Sequence, residues 1–268
     1  MKTALTIAGS DASGGAGIQA DLKTMMAHRV YGMSAITALT AQNTMGIRAI
    51  EAVTPEFLAA QIDAVFEDIR PDAVKIGMVF TSANAAVIAE RLRYYEASNI
   101  VIDPVMISSS GTRLLEEDTI QICKKQLFPL ATVLTPNLPE AQALSGIRLE
   151  GLSPEETDAA IAKAAEQLSQ EYGCAILIKG GHSCRGADDY LYQNGRGICI
   201  NGTRIDNPNT HGTGCTLSSA IASNLAKQES LEDAVRDAKT YMNLILSANL
   251  NLGAGPGPMD HGFVMKTQ

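Results

Sequence analysis

The chain has 268 residues, 46% of them hydrophobic but only 4% aromatic and none tryptophan, so its core must be aliphatic and Ala-rich. A formal charge of −8 with no run of Lys or Arg speaks against a nucleic-acid-binding surface and leaves small molecules as the expected partners. Cys123, Cys174, Cys184, Cys199 and Cys215 are odd in number and form no CxxC, which argues against a disulfide framework or a zinc site; no apolar run suits a membrane span or a secretory signal, so a soluble, cytoplasmic protein is expected.

In chain order, TALTIAGS (3–10) reads as a strand entering a Gly-rich turn, and AGIQADLKTMMAHR (16–29) as the helix behind it. SAITALTAQ (34–42) is strand-like and PEFLAAQIDAVFEDI (55–69) helical. AVKIGM (73–78), a helix over 83–97, NIVIDPV (99–105), a helix around 116–126 and ATVLTPN (131–137) continue the alternation. A long amphipathic helix over 154–171 leads to CAILIKGG (174–181), a polar, turn-rich stretch follows over 188–207, and helices near 214–227 and 231–249 close the fold. Near-continuous apolar strands alternating with helices predict a single α/β domain over 1–268, its parallel sheet covered on both faces. In such sheets ligands bind outside the carboxyl ends of the strands. The segments to search are therefore GSDASGGAG, AQNTMG, KIGMV, DPVMISSSG, TPNLPEA, KGGH and NTHGTGC.

GSDASGGAG lacks the spacing of either phosphate-loop motif and says only that backbone approaches something closely. Asp21 behind it is either a surface carboxylate or an acceptor aimed into the pocket. Asn137 and Glu140 stand three apart after a strand: an amide and a carboxylate suited to a water-coordinated Mg²⁺, or an ordinary helix start. Asp103 ends an apolar strand as a cap or as part of the same hard-cation cluster. Lys179 ends another, where a lysine is costly unless an anion meets it. His182 and His211 lack partners at metal-ligand spacing and read as hydrogen-bonding residues. Cys215 follows the turn Gly212-Thr213-Gly214 into a helix, where free N–H groups favour an anion and would ease ionisation of a thiol; the alternative is a small core residue. Together these are the parts of a phosphoryl-transfer site, where catalysis is positioning and charge neutralisation.

GSDASGGAGIQADLKT, ALTAQNTMG, KIGM, DPVM followed by SG and LL, FPLATVLTPNLPEA, IKGGH and NTHGTGCTLSSAIA occur in the order seen in the ribokinase-like superfamily. More narrowly, they resemble its hydroxymethylpyrimidine/phosphomethylpyrimidine kinases of thiamine biosynthesis, over nearly the whole chain. The resemblance implies a three-layer α/β/α fold with a mainly parallel sheet, a homodimer, and ATP with Mg²⁺. The expected reaction is phosphorylation of 4-amino-5-hydroxymethyl-2-methylpyrimidine and then of its monophosphate. It places Gly212, Thr213, Gly214 and Cys215 at an anion hole, with Cys215 as the base where sugar kinases carry aspartate. Asn137, Glu140 and Asp103 would serve the metal, and Lys179, Asn137, Asn209 and Thr210 the ATP. Gln42, Asp21, Gly9, Met78 and Val105 would line the substrate pocket, and SSSGTRLL (108–115) would form a flap. Asn209 departs from the aspartate common in sugar kinases and leaves one contact near the phosphates open. A pyridoxal kinase on the same scaffold, a catalytically silent binding regulator and a thiol nucleophile are the rival readings.

Overall fold

The computed structural model describes residues 1–106, 115–180 and 187–263. His182, Cys184 and all of the expected flap but Leu115 lie outside them. Among the described residues one sheet runs in the order β3-β2-β1-β4-β5-β6-β7-β8-β9. Its parallel centre comprises β1 (Thr3–Asp11), β2 (Tyr31–Asn43), β4 (Ala73–Ile76), β5 (Ile100–Ile102), β6 (Val133–Leu134) and β7 (Ala175–Ile178). Antiparallel strands flank it: β3 (Gly46–Ala52) on β2, and β8 (Asp189–Gln193) with β9 (Arg196–Ile200) beyond β7. The helices are α1 (Gly17–Ala27), α2 (Pro55–Asp68), α3 (Ser82–Tyr94), α4 (Glu117–Ile122), α5 (Leu138–Ser145), α6 (Pro154–Tyr172), α7 (Thr213–Ala226) and α8 (Leu231–Ser247). None is long and apolar enough to cross a membrane.

Two stretches to which the sequence assigns no element contain strands. The 188–207 segment folds as the β8–β9 hairpin, turning at Asn194 and Gly195, both at positive φ; Asn-Gly is the pair that a tight primed turn requires. GIRAIEA, left unassigned, is the edge strand β3; it lacked a strong apolar alternation because most of it faces solvent.

Strand residues alternate between two apolar layers. Leu5, Ile7, Val74, Ile76, Ile100 and Ile102 pack toward α2, α3, α5 and α6, whereas Ala4, Ala73, Val101 and Val133 face α1, α7 and α8. Lys75 falls between Val74 and Ile76 and so enters the second layer, where it is fully buried. Its Nζ lies 2.9 and 2.8 Å from the two carboxylate oxygens of Asp21 on α1, also fully buried. Thr6 of β1 donates to Asp21 at 2.6 Å and Ser219 of α7 at 2.7 Å. Burial works most strongly against the Lys75 ammonium, but Asp21, Cys215 and Asp103 together outweigh it and hold the lysine pKa above its usual value.

Removing one partner of a buried pair leaves an uncompensated charge. Lys75→Met should therefore lower unfolding free energy by about 3–5 kcal/mol in urea titration. Adding Asp21→Asn should recover more than about 1 kcal/mol of that, since the stranded carboxylate is gone. A loss below about 1 kcal/mol for the single variant would contradict this role for the pair.

Candidate active site

The start of α7 packs over the carboxyl ends of β1, β4 and β5. Gly212 is its N-cap at φ +84°, and a Cβ there would sit 2.0 Å from the Gly15 carbonyl oxygen, so only glycine fits the turn. No side chain caps this helix, and the positive end of its dipole lies at this start. A Cβ on Gly214 would stand 2.9 Å from Asp103 Oδ2 and 3.5 Å from Lys179 Nζ, which places that pair directly against the helix start.

Lys179 Nζ donates to Asp103 Oδ1 at 2.7 Å; burial works most strongly against the ammonium, but Asp103, Glu140 and Cys215 together keep its pKa above the ordinary value. Lys179 thus finds a carboxylate at its strand end. Asn137 and Glu140 form a reciprocal capping box on α5: Asn137 Oδ1 accepts from the Glu140 N–H and Glu140 Oε2 from the Asn137 N–H, both at 2.9 Å. The three-residue spacing is in this structure a helix start that engages Asn137 Oδ1 and Glu140 Oε2. Glu140 Oε1 faces the Met106 N–H at 3.5 Å. Burial pushes the Glu140 carboxyl up to about 7, Lys179 opposing and Asp103 reinforcing the rise. No cluster of three or more His, Cys, Asp or Glu side chains set for a metal occurs among the described residues. Asp103 and Glu140 still fit a hydrated Mg²⁺, since both are hard oxygen donors and the raised Glu140 value marks a place short of positive charge.

Cys215 is half-buried on the first turn of α7. Burial lifts its thiol to about 11; Lys75 lowers it, Asp21 and Asp103 raise it, and the Gly17 N–H lowers it. Against the expectation that the helix terminus eases ionisation, burial raises the thiol pKa and Asp21 and Asp103 add to the rise.

On the other side of the pocket, Gly9 and Met78 meet, a Cβ on Gly9 falling 2.3 Å from Met78 Cε. Val105 is half-buried, its N–H on the Asp103 carbonyl at 2.8 Å. The Gln42 amide lies between Thr40 and His211, whose Nε2 is 2.8 Å from the buried carboxylate of Asp11. Asp21 does not line the pocket. It lies beneath α7 with both oxygens occupied by Lys75, Thr6 and Ser219, so its reading as a substrate acceptor is corrected. Asn209 is buried, donates to Asn207 at 2.7 Å and Asn251 at 2.9 Å and ties two loops together. Thr210 is exposed beside α7 and its carbonyl accepts the Thr213 N–H.

Sequence reasoning missed Lys75, Asp11 and Thr40. The argument applied to Lys179, that lysine in an apolar strand needs an anion, applied equally to AVKIGM. Asp11 carried the signature of an Asx turn, Asp-Ala-Ser, and its oxygens accept from Ser13, Gly15 and Ala16.

Residues 11–260 match the family model described as phosphomethylpyrimidine kinase. The chain is 46% identical to the hydroxymethylpyrimidine/phosphomethylpyrimidine kinase of Rhizobium meliloti, over 96% of each chain. It is similar to the crystal structure of phosphomethylpyrimidine kinase from Clostridium difficile, at 43% identity and a TM-score of 0.79, covering 91% of this chain and 98% of that one. An ADP complex of Bacillus subtilis pyridoxal kinase superposes with a TM-score of 0.88 at 34% identity, covering 100% of both.

A thiol at about 11 is almost wholly protonated at pH 7. Alkylation of Cys215 by iodoacetamide in the ligand-free protein, followed by peptide mass spectrometry, should accelerate up to about pH 11. A plateau by about pH 8.5, the free-thiol value, would contradict the electrostatics described.

Proposed function

This chain belongs to the phosphomethylpyrimidine kinase family, and we propose that its site moves the γ-phosphoryl group of ATP onto a pyrimidine hydroxymethyl oxygen held against Cys215. It is a kinase of thiamine biosynthesis, phosphorylating 4-amino-5-hydroxymethyl-2-methylpyrimidine and then the resulting monophosphate. The observation that carries the mechanism is the uncapped start of α7, with Cys215 in its first turn and the Asp103–Lys179 pair packed against Gly214.

Backbone N–H groups at Gly214 and Cys215 receive the equatorial oxygens of the transferring group, a task that suits a helix N-terminus. Lys179 adds a positive charge next to them, fixed by Asp103. As the substrate oxygen bonds to phosphorus and the bond to ADP breaks, the hydroxyl proton passes to Cys215 Sγ. That role requires the thiolate, and Lys75 and the Gly17 N–H are the groups that favour it against burial. Mg²⁺, when bound near Asp103 and Glu140, supplies charge neutralisation for the ATP phosphates. Gly9, Met78 and Val105 offer the ring an apolar wall, and Gln42 offers its edge an amide.

The reading extends to a homodimer in the cytoplasm. In support of the dimer, the β2–β3 hairpin leaves Leu39 half exposed and Met45 67% exposed at an open sheet edge.

An ATP-consumption assay across the free pyrimidine, its monophosphate and pyridoxal tests the proposal. Both pyrimidines should be used in preference to pyridoxal, chelation of divalent metal should abolish turnover, and Glu140→Gln should raise the Mg²⁺ needed for half-activity. Cys215→Ala should lower turnover about 10²–10⁴-fold with little change in ATP affinity, the usual effect of removing a positioned base. Near-normal turnover of that variant would reject the base, and indifference to chelator would reject the metal.

A further inference from the structure

Cys215 lies where two helices begin. It stands on the first turn of α7, and its sulfur takes a hydrogen bond from the N–H of Gly17, the first residue of α1. The N-cap of α1 is Ala16, which has no polar side chain, and no acidic residue stands in its first turn. Its leading N–H groups must therefore be answered from outside the helix.

Asp11, at the end of β1, answers those of the turn that leads in. Its Oδ2 accepts from the Gly15 N–H at 3.0 Å and the Ala16 N–H at 2.8 Å, and its Oδ1 from the Ser13 N–H at 2.9 Å and hydroxyl at 2.8 Å. The Asp11 N–H in turn donates to the Gln19 side chain on α1 at 2.8 Å. With Gly15 and Ala16 held in this way, Gly17 is the next N–H along the chain, and it meets the sulfur.

The same carboxylate reaches α7. Asp11 Oδ2 lies 2.8 Å from Nε2 of His211, the residue just before the Gly212 N-cap. Asp11 is 1% exposed; burial works most strongly against its charge, but hydrogen bonds from His211, Ser13 and Ala16 bring its pKa down to about 2. An ionised carboxylate only accepts, so His211 Nε2 carries the proton between them. The His211 ring packs on Gly15, where a Cβ would fall 2.4 Å from Cδ2, and a Cβ on Gly212 would stand 3.1 Å from Ala16 Cα. The two helix starts are thus in direct contact, and Asp11 is hydrogen-bonded to the lead-in of each.

We propose that Asp11 and His211 are positioning residues for Cys215: their hydrogen bond clamps the start of α7 to the start of α1, and the clamp holds the Gly17 N–H on the sulfur as a donor to the thiolate. This rests on the reading of Cys215 as the base and adds to it a donor from a helix other than its own. A thiol is a weak acceptor, whereas an ionised acceptor makes the stronger bond. The Gly17 N–H therefore favours the form of Cys215 that can take the substrate proton.

A double-variant cycle on pyrimidine phosphorylation tests this. Asp11→Asn keeps the shape of the carboxylate without its charge. It should lower kcat about 10–100-fold, the effect of losing a hydrogen bond to a charged group, with the KM for ATP within about threefold. His211→Phe, which keeps a ring against Gly15 but has no donor, should do the same. In a Cys215→Ala background there is no thiolate to hold, and either substitution should lower kcat less than about threefold further. Equal losses in both backgrounds, or near-normal kcat in the single variants, would overturn the inference and leave the base in place. Near-normal turnover of Cys215→Ala by itself would overturn the reading of the base, and the inference with it. A measurement on well-folded protein stands beside the cycle: at pH 7 the Gly17 amide of the wild type should exchange about 2–10-fold more slowly than that of Cys215→Ala. Equal exchange in the two proteins would overturn the inference.

Discussion

The Lys75–Asp21 ion pair is the constraint on which the site depends. Thr6, Asp21, Lys75 and Ser219 come from β1, α1, β4 and α7, so one buried carboxylate joins two central strands to both helices above them. Ser219 lies four residues beyond Cys215 and therefore on the same face of α7, one turn along. Its bond to Asp21 fixes the rotation of that helix and hence the direction in which Cys215 points. An apolar pair would fill the space equally well, but a buried ion pair admits few alternative geometries, and a single missing partner is strongly unfavourable.

From that anchor the pocket divides by chemistry. On the proposed reading the helix start, Lys179, Asp103 and Glu140 make the end for phosphate and a hard cation, where burial lifts the Glu140 carboxyl to about 7 against the pull of Lys179. On the same reading Gly9, Met78, Val105 and Gln42 make the end for a flat polar ring. Cys215 stands where the two meet. Burial raises its thiol pKa, so on the proposed reading the base would be activated in the loaded site and not in the resting one.

Much of this was legible in the sequence because parallel strands buried on both faces announce themselves as apolar runs, and ligand sites follow their carboxyl ends. What was not legible shares one cause: polar side chains whose partners are distant in sequence. Asp21 looked like a pocket acceptor until Lys75, 54 residues away, occupied it. Asn209 is held by Asn251, 42 residues away. The spacing of Asn137 and Glu140 suited a metal and a capping box equally, and only backbone geometry separates them. The ionisation of Cys215 depended on carboxylates from two other elements, which local context at GTGC does not reveal.

The central claim is that the transferring phosphoryl group rests on the N–H groups at the start of α7, beside Cys215. Amide NMR of the protein with Mg²⁺, the pyrimidine and a non-hydrolysable ATP analogue addresses it without turnover. Gly214 and Cys215 should show the largest downfield amide shifts and slowed hydrogen exchange, with α8 unaffected. Amides of Gly214 and Cys215 that remain unchanged while the ligands are bound would contradict the account.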